Sequence, residues 1–560
     1  MLAWKVPAPS HFVTVGTLAR TLLLNATLKL MIGQLNRGEV WIVACILFLC
    51  SNVHAQFPNT VGLTFLQALT TNLNGAGVRV GQAEAENSTD TNDWEVNPAY
   101  LPDPTNLFTW YSNGQSSATF TNSLGVESGH ADFVGSLFYG PTGFSTNVGH
   151  VDNFEANSYI NYYIVNDTGF SASATDALVN QSYTFGALPV AMQEEIDSDF
   201  DNFSVKYNTL FVSAANNYGN NVSVCAPGTS YNCISVGADE GDSSVGPTID
   251  NGRCKPDIVA PATETSFSTP QVAGAVALLM QAGRRGDGGP NTNCAADMRT
   301  VKALLLNGAV KQANWINIPP SPLDYNNGAG MLNVFNSYEQ LIGGKHSFNF
   351  STNVPMGTAH PPVVTTASIP VLSSWDFNTN ASSSTSDSVN HYFFNATNGV
   401  SHSCFTLTAT LVWNRHQNQT NINNLALYLY NAANSNLVVA STSVVDNVQH
   451  VFVRKLPQGR YDLQVWKAGG SSIVSTNESY ALAWGVVSQF LKAKESGTNL
   501  ILSWPVYPAG YAVAAAPTLT LPVIWSTNSI PAAVLTNGQN VVTLPQNNNL
   551  QFFQLQTPNF

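Results

Sequence analysis

The sequence predicts an α/β domain with a doubly wound, mostly parallel sheet, followed by an all-β sandwich and a smaller C-terminal β module. Three observations carry that expectation. From about residue 62 to 343, short β-branched runs alternate with helical stretches, as in strands joined by covering helices. After His346 apolar and polar residues alternate at period two between Asn, Gly and Ser turns, as in a sandwich. Charged residues are only 10% of the 560, with 41 glycines and 29 prolines, which favours β-rich or α/β domains over coiled coil or disorder. The expected units are 56–345, 346–490 and 491–560.

Residues 1–55 read as an over-long start and a secretory signal. Arg37, the apolar run 40–50 and the small residue Ala55 before Gln56 are the parts of such a signal, with Met31 the better initiator. The run is too short to span a bilayer, so the expectation is export, secreted or to the cell surface, with no membrane partner after cleavage near Ala55-Gln56. Net charge is −13 with no Lys/Arg cluster, which argues against a nucleic-acid partner. In an oxidising compartment Cys225 could close a short loop with Cys233, and Cys254 could meet Cys294, leaving Cys404 over.

In chain order, strands are expected at 78–82, 177–180, 210–213 and 233–237, and helices at 133–138, 191–205, 272–280 and 298–307. Sandwich strands are expected at 406–413, 425–430 and 461–466, and strands of the last module at 500–504, 541–544 and 552–555. The most informative stretch is 255–282. A turn with three threonines and two serines, Thr263, Thr265, Ser266, Ser268 and Thr269, leads to nine residues, 272–280, with no polar side chain. Such a helix is buried, and Pro270 suits its first turn. Ser266 just before it would sit among unpaired N–H groups at the positive end of the helix, a place for a nucleophile or merely for a cap.

Lys255-Pro256-Asp257, then Thr265-Ser266 and Pro270-Gln271-Val272-Ala273-Gly274, resemble the subtilisin-like serine proteases, in which this segment carries the nucleophile at the position of Ser266. His130, ahead of Val134-Gly135, resembles the family's histidine at the start of a helix, and Glu84 stands where the family has its aspartate at the end of the first strand. Glu86, Asp90 and Asp93 are alternative acids. Asn217, after 210–216, resembles the family's side-chain oxyanion donor, with Asn216 where glycine is usual. Ser182, Ser213 and Ala214 fall on strand ends that line the substrate cleft in the family. His150 has no motif behind it and reads as structural. The order acid, histidine, serine is the subtilisin order.

The resemblance covers about 62–343. It implies a serine endopeptidase acting on protein or peptide substrates through an acyl-enzyme, with no cofactor required and no metal ligands assigned; structural calcium stays open, since no D-x-D-x-D loop is present. The sandwich resembles the jelly-roll domains that follow some subtilases. Three departures favour an inactive, binding version of the fold. Glu84 replaces aspartate, and only about 28 residues separate Gln56 from Glu84, too few for the N-terminal prodomain that secreted relatives commonly use to fold. The turn 262–264 is short and ends in Glu264 where glycine is expected, so a Cβ should constrain it and a charge should sit beside the nucleophile. A third class, a surface- or carbohydrate-binding protein, would use exposed aromatics such as Trp466 or Trp504.

Overall fold

The computed structural model describes residues 60–86, 91–101, 107–165, 176–219, 222–397, 404–488, 490–507, 510–536, 539–546 and 551–556. The expected signal segment and Asp90 lie outside these.

An eight-stranded sheet organises the first half of the chain. Its strands are β1 (Arg79–Glu84), β3 (Phe108–Ser112), β4 (Gln115–Ser117), β6 (His150–Glu155), β7 (Leu178–Gln181), β8 (Leu210–Ala214), β9 (Ile234–Ala238) and β10 (Ile258–Ala260); β2 (Asp93–Glu95) and β5 (Val126–Glu127) pair separately. The spatial order is β10-β9-β8-β7-β1-β6-β3-β4, parallel throughout except for β3 against β4. β1 is flanked by β6 on one side and β7 on the other. The crevice beyond the carboxyl ends of such strands is where open α/β sheets place their chemistry.

The longer helices are α1 (Leu63–Leu69), α2 (Gly129–Phe138), α3 (Val190–Tyr207), α4 (Thr265–Arg285), α5 (Met298–Gly308) and α6 (Val334–Ile342), with short helical turns at Ala156–Tyr159, Ile160–Val165 and Thr292–Ala295. Helix α4 is the buried one the sequence announced: every residue from Ser268 to Gly283 is buried. It begins at Thr265, earlier than expected, so Ser266 is inside its first turn and Pro270 falls in the second. Small side chains allow the close approach: a Cβ on Gly274 would lie 2.3 Å from Phe144 Cβ.

The sandwich consists of two antiparallel sheets. One holds Phe350–Pro355, Ser386–Ala396, Gly459–Lys467, Leu425–Asn431 and Leu437–Ser441; the other holds Ser373–Ala381, Asn477–Ser488, Cys404–Trp413 and Val448–Pro457. The last module is a four-stranded and a two-stranded sheet around Leu502, Trp504, Val513 and Val542. Trp504 is thus core, not surface, while Trp466 is half-buried.

The sandwich is welded to the α/β domain. Trp375, Val412, Val448, Ala481 and Ala483 join the same apolar core as α5 and α6. Beside this, Tyr231 lies between two guanidinium groups, Arg253 at 3.9 Å and Arg415 of the sandwich at 4.8 Å from its ring centre. Arg415 Nε pairs with Asp201 at 2.8 Å, and Arg253 with Asp250 at 2.6 Å and Asp197 at 3.2 Å, all of them buried. Asn447 donates to the Tyr231 carbonyl at 2.9 Å, and Asp446 accepts from Cys254 N–H at 2.7 Å. Buried charges need such pairing, because each would otherwise keep an uncompensated desolvation cost; here every charge has an opposite partner, although Arg253 Nη1, Arg415 Nη2 and Asp250 Oδ1 make no hydrogen bond among the described residues. The segment held here, 231–254, leads directly into Lys255-Pro256-Asp257, where Lys255 and Lys302 close on Asp257 at 2.8 and 3.3 Å.

The expected disulfides do not form: Cys225, Cys233, Cys254, Cys294 and Cys404 are free thiols. Cys225 is engaged by Asn216 instead. Cys233 donates to the Ser230 carbonyl at 3.1 Å, and the Lys255 ammonium approaches its sulfur at 3.7 Å.

Candidate active site

Glu84 ends β1 and is 1% exposed, so its charge needs partners. It has them on both oxygens. His130 Nδ1 lies 2.8 Å from Oε2, and Gln82 Nε2 donates to Oε1 at 2.8 Å. Gln82 also donates to the Ala131 carbonyl at 2.9 Å and accepts from the Tyr139 hydroxyl at 2.5 Å. Strand β1 and helix α2 are therefore tied together at the point where acid meets imidazole. His130 stands in the first turn of α2, behind the N-cap Ser128, whose hydroxyl accepts from Ala131 N–H. Burial works against the imidazolium, but the charge and hydrogen bond of Glu84, with a further contribution from Glu264, hold the His130 pKa above its ordinary value. Glu86 and Asp93 are not bonded to His130, and His150 sits at the opposite end of the sheet, paired in register with Arg79 and bonded to Thr109 at 3.0 Å.

Ser266 is held from two directions. Its hydroxyl donates to the Ser182 carbonyl at 3.1 Å, and its own carbonyl accepts from the Ser182 hydroxyl at 2.9 Å. The second bond has a cause in the sequence. In a helix the Ser266 carbonyl would accept from the N–H of residue 270, but Pro270 has none. Ser182, at the end of β7, supplies the missing donor. No Ser266–His130 hydrogen bond forms in this structure; the Phe267 ring lies 5.8 Å from the imidazole centre. Contacts of this kind are often loose without substrate and tighten when it binds.

Asn217 follows β8 and is anchored by one end of its amide. Its Oδ1 accepts from both the Thr265 N–H and the Thr265 hydroxyl at 2.8 Å, while Nδ2 makes no hydrogen bond among the described residues. The Ser266 N–H, in the open first turn of α4, has no hydrogen-bond partner among the described residues. A side-chain amide and a backbone N–H are thus both available beside the serine. Asn216, at φ 102°, makes the turn that relatives make with glycine.

Ser182 contacts Ser266 directly. Ser213 is inaccessible, its hydroxyl given to Gln181 at 2.7 Å, and Ala214 is buried in β8. Beyond Ser182, Tyr183 and Phe185 pack edge to face, with ring centres 6.4 Å apart. Gln82 was not singled out in the sequence: a glutamine inside a strand carries no motif, and only its burial and three bonds mark it. No cluster of His, Cys, Asp or Glu able to hold a metal occurs among the described residues.

Residues 165–338 match the family model described as the Subtilase family. No curated protein matches. Among solved structures, the chain is similar to the prenylagaramide maturation protease PagA, at 20% identity over 50% of this chain and 98% of that one, with a TM-score of 0.34. It is also similar to a serine-to-alanine mutant of the PatA protease domain, at 20% identity, 49% and 98% coverage and a TM-score of 0.33. A cold-adapted subtilisin-like serine proteinase is similar at 18% identity, 47% and 90% coverage and a TM-score of 0.30. The parallel sheet and the matched segment together give the fold and activity class of a subtilisin-like serine peptidase, the family match itself being confined to residues 165–338. Ser182, Asn217 and Ser266 lie inside the matched segment; Glu84 and His130 precede it and reach it through the fold.

Proposed function

We propose that the protein is an exported serine endopeptidase whose triad is Glu84, His130 and Ser266. The single observation that carries this reading is the 2.8 Å pairing of buried Glu84 with half-buried His130, in the same domain as a serine in the first turn of α4. In the proposed mechanism His130 Nε2 takes the Ser266 hydroxyl proton as Oγ bonds to the carbonyl carbon of a peptide. Glu84 fixes the tautomer through Nδ1–H and stabilises the imidazolium. Asn217 Nδ2 and the Ser266 N–H hold the oxyanion. The proton then passes to the leaving amine as the C–N bond breaks, and water, activated by the same imidazole, releases the acyl group. No step calls for a metal or cofactor. Export rests on the apolar run 40–50 and Ala55-Gln56; among the described residues no helix is long and apolar enough to cross a membrane.

One observation favours the second reading, an inactive fold used for binding: the Ser266 hydroxyl is given to Ser182 rather than to His130. A serine-directed fluorophosphonate separates the two. The reading requires covalent labelling of the folded protein and its loss in Ser266→Ala; a folded, unmutated protein that stays unlabelled establishes the binding reading.

A further inference from the structure

We infer that Cys225 is a positioning residue for catalysis, acting through Asn216 to fix the turn from which Asn217 presents its amide. The inference rests on the peptidase reading above for its catalytic consequence, and on geometry alone for the link itself.

The turn after β8 is made by a non-glycine residue in the left-handed region, Asn216 at φ 102°. Glycine would adopt this conformation freely, so the asparagine must be kept there by its side chain. Both ends of that side chain are used. Oδ1 accepts from the Asn217 N–H at 2.8 Å, and Nδ2 donates to Cys225 Sγ at 3.0 Å. The orientation of the amide follows from chemistry: a backbone N–H can only donate, so the oxygen must face Asn217 and the nitrogen must face the sulfur. The thiol is suited to this because it both accepts and donates, and Sγ lies 3.5 Å from the Ser223 carbonyl. Cys225 is itself fixed by its N–H to the Ala215 carbonyl at 3.3 Å, and the Asn216 carbonyl accepts from Ser244 N–H at 2.8 Å.

A continuous directed chain results. It runs from the Ser223 carbonyl through the Cys225 thiol and the Asn216 amide to the Asn217 backbone. From there the Asn217 side chain is held by Thr265, the residue before the nucleophile. Asn216 and Cys225 are both buried, so water does not compete for these bonds. Where relatives obtain the turn by lacking a side chain, this chain obtains it by adding one and giving it a thiol partner. The same cysteine is thereby accounted for without a disulfide.

Three variants test this: Cys225→Ala, Cys225→Ser and Asn216→Gly. Exchange of the Asn217 backbone amide with deuterium and the kinetics of a peptide substrate are measured for each. Cys225→Ala should speed exchange about tenfold and lower kcat about tenfold with KM within twofold, since small misplacements of catalytic groups cost that much or more. Cys225→Ser keeps an acceptor and a donor and should restore most of both. Asn216→Gly gives opposite signs: the melting temperature rises because the left-handed turn no longer carries a Cβ, while kcat falls. In the Asn216→Gly background Cys225→Ala should change kcat no further. Unchanged exchange in Cys225→Ala overturns the link, as does a kcat that rises with stability in Asn216→Gly. Faster exchange with unchanged kcat overturns the catalytic role. Exchange needs no turnover, so an unmutated protein that neither cleaves nor labels, yet shows the exchange response, refutes the peptidase reading and upholds the link.

Discussion

Ser182→Ala, alone and combined with Pro270→Ala, tests whether the strand end of β7 replaces the hydrogen bond that proline removes from α4. In the unmutated chain the Ser266 carbonyl has the Ser182 hydroxyl at 2.9 Å as its donor. Ser182→Ala strands that partly buried carbonyl and also removes the acceptor of Asn180 Nδ2 at 3.0 Å. Each unsatisfied group costs about 1–3 kcal/mol when buried, so a loss of roughly 2–3 kcal/mol is expected. Pro270→Ala supplies an N–H four residues after Ser266 and lets the helix satisfy its own carbonyl. In that background only the Asn180 part of the cost should remain, leaving a coupling of about 1 kcal/mol between the two sites. The assay is urea unfolding of the four-variant cycle, with every member carrying Ser266→Ala so that self-cleavage cannot distort the transition; the main-chain carbonyl is untouched by that change. Coupling below about 0.3 kcal/mol, the level at which independent sites add, refutes the substitution of one donor for the other.

Asn217→Ala should lower kcat by about 10²–10³ with little change in KM, the range found when one oxyanion donor is removed from a serine peptidase of this fold; a loss confined to KM removes it from that role. Glu264→Gln should move the acid limb of kcat/KM to lower pH. His130 must be neutral to act as base, its pKa is held above the ordinary value in part by the Glu264 charge, and activity therefore rises as pH passes that raised pKa. The same raised pKa means that His130 contributes stability below its unfolded value which is lost as pH rises through the folded one. An acid limb that stays put in pH–rate profiles contradicts the coupling. Arg415→Met leaves the Asp201 carboxylate buried without its 2.8 Å partner and should cost about 3–5 kcal/mol in urea unfolding, with a loss under about 1 kcal/mol showing that the weld is not stabilising.

The residues legible in the sequence were those with chemistry and spacing in series. Thr265-Ser266 before a buried helix, His130 opening α2 and Asn217 after β8 could each be placed because a motif fixes both residue type and neighbouring element. Strand β6 was missed although it lies beside β1, because its interior is polar: Asp152 and Asn153 are inaccessible yet leave no apolar run. Asp152 is tolerated there by Arg79, at 2.6 Å from the neighbouring strand, a pairing across the sheet that no local pattern encodes. Gln82 and Ser182 escaped in their working roles for a related reason. Each acts by satisfying a group far away in sequence, the Ala131 carbonyl of α2 in one case and a carbonyl orphaned by Pro270 in the other. The cysteines misled because spacing suggested covalent pairs, while their burial places them beside Asn216, Lys255 and Asp446.

Glu264 shows how a departure from a family pattern changes meaning once the backbone is known. Where glycine is expected, a side chain should strain the turn; yet Glu264 has φ −135° and ψ 143°, extended backbone open to any residue. The shortness of the turn is absorbed elsewhere. The Ala262 carbonyl accepts from Glu240 N–H at 3.0 Å, and the Thr263 carbonyl oxygen passes 1.8 Å from where a Cβ on Gly241 would lie. The glycine that the turn requires is therefore Gly241, on the facing strand end, not residue 264. What remains of the departure is electrostatic: an exposed carboxylate at the positive end of α4, close enough to raise the basicity of His130 and of the same sign as the oxyanion that Asn217 would hold. The two effects oppose each other. A more basic imidazole favours taking the serine proton, while a nearby negative charge disfavours the developing oxyanion, so replacing Glu264 by glutamine should extend activity to lower pH and raise the plateau at high pH, where His130 is neutral in both forms.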